Sequence, residues 1–596
     1  MFQAGRSRPA SGRGIPARPE KSTNQPGKKS LSNRCIIFLM QKRCSNLWCQ
    51  AAFGITRSDL DFYKSISNET ETILPPDICP DCRSQLRCMH RNERNLYRRI
   101  CGLCGGNVIS MYSSAAPFPV YCSACFYGDK WDPLSFGVEY ENSSFFDQLA
   151  KLYERVPRLA IMNKQSQNSD YCNYSYANKN CYQTSGSHYE EDCLYGAYST
   201  KNKDCTDSLW IYGSELLYEC MFSKNCYRSI YLDHCEDCRD CLFSRDLKGC
   251  SSCLFCSNLR QKRHCVFNEQ KTKDEYERIL ASLKLDTYSG LEAARRAQND
   301  ELPRRFPVRA LYHVQCENCE GDTLNNCKNM RSCYYCSDSE DCSYGLQLDG
   351  TYSSMDLDYM GYDRSERCYQ TIGCLGLFDC LACNACWDGS GLRYSQYCFS
   401  CNDCFGCLSL KRQRNCILNK KYEQPAYEKL VSEIIGDLDQ AGEWGSFFPT
   451  NLSPFGYNES MAQDWASLSQ KVALEKGYKW KEDENISEVS KIIDAKSLPD
   501  SIDEIPDDIL NWAIHCVSTG RPFRIVKKEL EFYRKLRLPI PRIHPDERHR
   551  IRKALRNPRK LWNRNCAECR KPMSTSYSPE RPEKVLCEEC YLKEVY

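Results

Sequence analysis

The sequence predicts a multidomain α+β protein in which zinc ribbons at both ends flank a duplicated, cysteine-rich β-solenoid with helical caps and linkers. Three observations predict it. Cysteine supplies 44 of 596 residues. One Cys-x2-Cys…Cys-x2-Cys spacing occurs near each end. The middle carries cysteines with a period of three. Composition narrows the class further. Mean hydropathy is −0.63, and no apolar run approaches the ~18 residues of a membrane-spanning helix. Ile36 to Met40 is too short for a secretion-signal core. Cysteine-rich chains without such a signal keep their thiols reduced for metal binding or packing, so the expected location is cytoplasmic, with no membrane partner.

Residues 1–34 carry eight Lys/Arg and one Glu. They have no hydrophobic period and read as a disordered basic arm. Residues 83–99 carry a net +5 and residues 520–571 a net +13, while the whole chain carries +3. Basic ends therefore flank an acidic middle. Such clusters are either a polyanion footprint or solvated helix faces paired with the acidic middle of the same chain.

Residues 35–100 are expected to form a first zinc-ribbon module with a basic helix, and residues 101–140 a second ribbon. Cys101, Cys104, Cys122 and Cys125 have the two-knuckle spacing that brings four thiolates to one tetrahedral Zn²⁺. Cys566, Cys569, Cys587 and Cys590 repeat it in a C-terminal ribbon, 566–596. Tyr112-Ser113, Pro117 and Val120 recur as Tyr577-Ser578, Pro582 and Val585, so the two are duplicates. The duplication also divides the upstream cysteines. Cys79 and Cys82 align with His544 and Glu547, yet the C-terminal copy keeps its own complete set. Cys44, Cys49, Cys79 and Cys82 are therefore assigned a separate site, with Cys35 as an alternative member. Residues 516–565 should be a degenerate, metal-free copy of the first module, with Cys516, Thr519, His544 and Glu547 at the ligand positions. Three structural zincs are expected.

Residues 141–169 read as a helical bridge around Phe145 to Val156. Residues 170–268 are the first solenoid half. Its 13 cysteines, from Cys172 to Cys265, all share one phase of three, with a stronger beat of twelve. Neither a helix nor a flat strand sustains that period, whereas short solenoid sides with corners do. A cap and linker follow at 269–312, then a second half at 313–419 with 16 cysteines. Both halves end alike. Cys256, Leu259, Cys265, Asn268 and Tyr276 match Cys407, Leu410, Cys416, Asn419 and Tyr427. Cys235-x2-Cys238-x2-Cys241 lacks the C-x3-C-P continuation of an iron–sulfur motif, so stacked thiols are the expected reading. Residues 420–515 read as a helical, partly acidic linker, with Ser501 to Cys516 as a capped helix.

Cys49 through Phe53, LDFYK (Leu60 to Lys64) and Cys79-Pro-Asp-Cys82-Arg83 resemble a zinc-ribbon family of the treble-clef type. The x4 gap between Cys44 and Cys49 departs from that family's CxxC. CPDCR, RNERNLYRR (Arg91 to Arg99), KWDPLSFG (Lys130 to Gly137) and CEECYLKEVY (Cys587 to Tyr596) resemble a larger cysteine-rich family abundant in uncultured candidate-phyla bacteria. That resemblance covers roughly residues 44–596 and implies no activity.

No P-loop, GxGxxG, HExxH or GxSxG is present, and the eight histidines are scattered. Four-thiolate sites have no open coordination position. The sequence therefore predicts a non-enzymatic, zinc-stabilised binding protein. Its basic end modules would contact RNA or a ribonucleoprotein through Arg87, Arg91, Arg94, Arg98, Arg548, Arg552, Arg556 and Arg559. The alternative is a protein- or glycan-binding solenoid with a tyrosine-rich outer platform. A thiol-redox or iron–sulfur enzyme comes third.

Overall fold

The computed structural model describes residues 38–68, 71–361, 363–482 and 491–596. The basic arm, Cys35 and part of the acidic linker lie outside the described residues. The fold is mixed, with many short strands, twelve α-helices and no closed barrel among the described residues.

Two parallel ladders form the middle. In the first, Asn163 pairs with Ser175, Leu194 with Thr206, and Cys253 with Cys265, a step of twelve. Each step consists of triplets with a fixed division of labour, as in Cys193-Leu194-Tyr195. Cys193 is buried inside. Leu194 makes the bridge. Tyr195 takes φ 56°, and nearly every third residue from Gln165 to Phe267 does the same. That left-handed conformation costs an L-residue about 1–2 kcal/mol. It selects Asn and Asp at many corners (Asn180, Asp192, Asp204, Asp237, Asp240), whose side chains tolerate it best.

Backbone hydrogen bonding explains the inward residues. The Leu194 N–H donates to Cys205 O one turn up, and the Tyr195 N–H to Tyr182 O one turn down, both at 2.9 Å. The inward N–H must find a side chain. The Cys220 N–H donates to Ser208 Oγ at 3.2 Å, Leu232 N–H to Cys220 Sγ at 3.4 Å, and Cys386 N–H to Cys374 Sγ at 3.4 Å. The same side chains donate to the carbonyl two residues back: Ser208 Oγ to Thr206 O at 3.1 Å, Cys220 Sγ to Tyr218 O at 3.4 Å. Inward positions therefore favour a small side chain that both accepts and donates. Serine does this, and cysteine does it while adding apolar burial.

The second ladder repeats the pattern, with Cys368 on Cys380 and Cys404 on Cys416. Two irregular turns change its cysteine phase. His313 pairs with Leu324, one residue short, and Thr351 with Ser365, two residues long. Both ladders end in an antiparallel strand, Glu269–Gln270 and Lys420–Lys421, followed by a helix, Lys273–Ser282 and Gln424–Gln440. Tyr276 and Tyr427 are buried at corresponding places in these helices. The bridging helix Phe145–Arg155 buries Phe145, Phe146, Leu149, Leu152 and Tyr153.

The ladders abut through stacked aromatics. Tyr198, Trp210, Phe222 and His234 stand one turn apart in a continuous column with ring centroids 4.6–5.0 Å apart. The second ladder sets Tyr359 against Tyr198 at 5.8 Å and Tyr335 against Trp210 at 5.3 Å. Many of the aromatics expected on an outer platform are thus internal. Tyr189, Tyr212 and Tyr227 remain exposed.

One expected element differs. Ser501 to Cys516 is not one helix but two 3₁₀ turns, Ile502–Glu504 and Asp507–Asn511, then a strand, Ala513–His515. Pro506 offers no N–H and pushes Ile505 to an extended conformation (φ −81°, ψ 113°), which stops the helix.

Candidate metal centres and the docking of the end modules

Three groups of four cysteines converge, each with all four sulfurs within 4.8 Å of one another: Cys44, Cys49, Cys79 and Cys82; Cys101, Cys104, Cys122 and Cys125; Cys566, Cys569, Cys587 and Cys590. These are the twelve residues assigned from spacing and from the internal duplication. All described cysteines are free thiols.

The last two clusters are built alike. A hairpin, Tyr97–Ile100 with Asn107–Ser110, carries Cys101 and Cys104, and Trp562–Asn565 with Pro572–Thr575 carries Cys566 and Cys569. Gly105 and Arg570 close the knuckles in the left-handed region, at φ 73° and 63°. Cys122 and Cys587 each stand at a helix N-terminus. Their N–H groups donate to Cys101 Sγ and Cys566 Sγ, both at 3.3 Å. Burial raises the Cys101 thiol, but N–H donors from Cys104, Cys122 and Leu103 outweigh it and bring it down to about 6. At Cys566 the same opposition, with donors from Cys587, Cys569 and Glu568, also ends at about 6. Such thiols ionise readily, as metal ligands must.

The first cluster has the same logic on a longer knuckle. Cys44 follows the hairpin Phe38–Arg43 with Ala52–Thr56, and Cys79 caps the helix Pro80–Cys88. The Cys79 N–H donates to Cys44 Sγ at 3.3 Å. Donation from Cys82 brings the Cys79 thiol down to about 5. Four sulfur donors around one point fit a tetrahedral thiolate-bound cation, with no position left for a substrate.

In the C-terminal copy of this site the backbone survives. The His544 N–H donates to Cys516 Sγ at 3.3 Å, as Cys79 does to Cys44. The His544 ring turns to the helix it caps, its Nδ1 accepting from the Asp546 N–H at 3.1 Å.

Each end module binds both ladders. Val120–Tyr121 pairs with Arg158–Leu159 just before the first ladder, and Val585–Leu586 with Val308–Arg309 just before the second, each as a two-stranded sheet of its own. Their arginine helices then cross over. Arg83 Nε lies 2.8 Å from Asp356 Oδ2, and Arg87 Nε 2.5 Å from Asp358 Oδ2, on the second ladder. Arg548 Nε lies 3.2 Å from Asp207 Oδ2 on the first, and Arg552 contacts Asp207 at 2.6 Å and Glu219 at 2.7 Å. Burial raises the Glu219 carboxyl, against the lowering effect of Arg552.

This overturns part of the predicted nucleic-acid face. Arg87, Arg91, Arg548 and Arg552 are buried, and Arg91 pairs with Glu93 at 2.6 Å. A guanidinium sealed against an internal carboxylate cannot reach a phosphate. Arg94 pairs with Asp546 at 3.6 Å. Arg556 and Arg559 lie over Trp465 at 3.8 and 4.8 Å. Of the eight, Arg98 is exposed. Sequence reasoning missed the carboxylates: Asp207, Glu219, Asp356 and Asp358 sit in no motif. The signal available was the duplication, which matches Arg83 and Arg87 to Arg548 and Arg552 on one helix face.

The cysteines Cys235, Cys238 and Cys241 are not among the converging groups. Their sulfurs donate to Asp233 O, Glu236 O and Arg239 O at 3.2–3.4 Å, as at other inward positions. No protein-family model and no curated protein matches the chain.

Proposed function

We propose that the chain is a non-enzymatic, zinc-stabilised scaffold for a protein partner, in which end modules of the zinc-ribbon type clamp two β-solenoid halves side by side. The domain limits drawn from the sequence are kept as those of the clamp and the clamped parts. The observation that carries the reading is the reciprocal docking: each module pairs a strand with the segment leading into one ladder and buries its arginines against the other. Closed four-sulfur sites suit structural zinc. Reduced thiols throughout suit the cytoplasm.

Metal analysis after anaerobic purification tests the frame. Three zincs and no iron are expected, and a coloured, iron-containing protein overturns it. The partner is tested by pull-down. Replacing Tyr189, Tyr212 and Tyr227 by Ala should lose it, while removing residues 1–34 should not. Co-purifying nucleic acid with salt-sensitive affinity would overturn the choice of a protein partner in favour of a nucleic acid or ribonucleoprotein.

A further inference from the structure

Six arginines are buried among the described residues: Arg83, Arg87, Arg91, Arg158, Arg548 and Arg552. Five of them lie within 3.1 Å of a carboxylate. Arg158 pairs with none among the described residues. Its Nη2 donates to Tyr153 O at 3.3 Å, but Nε and Nη1 are buried and have no partner in the protein.

Packing does not require a guanidinium at this place. Val120 pairs with Arg158 on the way into the first ladder, and Val585 with Val308 on the way into the second. Val120 and Val585 are duplicates, so Val308 is the counterpart of Arg158. The two are buried alike, at 1% exposure for Val308 and 2% for Arg158. Val308 shares an apolar cluster with Tyr577, the counterpart of Tyr112. One copy therefore fills the place with a valine and the other with a charge.

Aromatic rings surround that charge. Arg158 Cζ lies 3.8 Å from the ring centroid of Phe118, 5.2 Å from that of Tyr153 and 5.8 Å from that of Tyr112. The rings attract the cation, yet its two nitrogens still lack an acceptor. The hydroxyls of Tyr112 and Tyr153 are buried without a partner as well. Neither hydroxyl supplies the missing negative charge. Burial pushes both up, against the lowering effect of Arg158, so they stay protonated and can donate. The second ribbon, the bridging helix and the strand before the ladder thus bring together one buried cation and two unpaired hydroxyls. A charge so placed is costly unless it is paired. A water molecule would offer an acceptor but no charge, whereas a small anion offers both.

We propose that Arg158 and the hydroxyls of Tyr112 and Tyr153 hold one chloride ion inside the fold. The ion neutralises the guanidinium and accepts from its Nε and Nη1 and from both hydroxyls. A single positive charge and few donors suit chloride better than phosphate or sulfate, whose extra charge and oxygens need further donors. The site does not depend on the scaffold reading.

The full-length, metal-loaded chain tests it, equilibrated without chloride and with gluconate holding the ionic strength. Chloride should stabilise it against urea. Well above the dissociation constant, each tenfold rise in chloride should lower the unfolding constant about tenfold, as one ion per chain requires. Arg158→Val, which installs the residue of the second copy, should fold and be indifferent to chloride. Tyr153→Phe should fold and respond only at several-fold higher chloride. A wild type indifferent to chloride overturns the proposal, and so does an Arg158→Val variant that responds as the wild type does. Should Arg158→Val fail to fold, wild-type crystals grown in bromide decide. An anomalous peak beside the Arg158 guanidinium upholds the proposal, and density for water alone overturns it.

Discussion

The first and last end modules share a backbone but are held together differently. Around Cys44, Cys79 and Cys82 the local buried cluster is the cysteines themselves, with Phe53 and Ile78 partly buried beside them. Around Cys516 the cluster is large, with Ile514, Phe523, Ile525, Leu530, Phe532, Leu538 and Ile540. Both nevertheless present an arginine helix to a ladder and bury it. The first module also buries Tyr63, Ile66, Ile73 and Met89, so the four-sulfur cluster is an alternative only to that part of the apolar core that surrounds Cys516. The C-terminal copy can carry His544 and Glu547 because apolar burial already holds it.

The sharpest way to break this comparison is to strip metal. Structural zinc contributes on the order of 10–16 kcal/mol to such sites. With a chelator, amide hydrogen exchange should accelerate across 38–88, 101–125 and 566–590. Protection across 513–554 should persist, and its loss would mean the two cores are not alternatives.

Docking comes next. Asp207→Ala leaves Arg548 and Arg552 short of a partner, and Asp356→Ala does the same to Arg83 and Arg87. Each should cost about 1.5–3 kcal/mol in denaturant unfolding, the worth of a charge-assisted hydrogen bond, because Glu529, Glu219 and Asp358 still face these arginines. Markedly unequal losses would show that the two dockings are not equivalent.

Within the ladders, Glu190 occupies an inward place where the second ladder has Ser339, and both are buried. Burial lifts its carboxyl from 4.5 to about 7. The folded chain therefore holds this proton more tightly than the unfolded chain. That stabilisation is complete below pH 4.5 and is lost as pH rises through about 7. Linkage limits the loss to about 3 kcal/mol. Glu190→Gln keeps an oxygen for the Asn202 amide, now at 2.9 Å. It should raise the melting temperature at pH 8 and leave it nearly unchanged at pH 4.5.

The smallest effect separates the roles of one inward thiol. Cys220→Ala leaves the Leu232 N–H without its acceptor and should cost about 1–3 kcal/mol. Cys220→Ser restores that acceptor and should cost less. Equal losses would mean that burial alone selects cysteine there.

Much of this architecture was legible because its causes are local. A knuckle of two cysteines, a second knuckle 17 residues on and a corner every third residue are short-range requirements, and the sequence states them directly. Eight of the converging cysteines, the ladder step and the doubled ladder ends were readable in this way, while Cys44, Cys49, Cys79 and Cys82 were set apart by the duplication. The linker was not, since Pro506 breaks a pattern that otherwise reads as helix. Nor was the fate of the arginines. Arg87 meets Asp358 across 271 positions and Arg552 meets Asp207 across 345, and no spacing rule spans such gaps. The sequence by itself determined the cysteine sites and the period of the ladders. The tertiary structure alone decided which ladder each module grips, because the desolvation of a charge depends on what packs over it rather than on its neighbours in the chain.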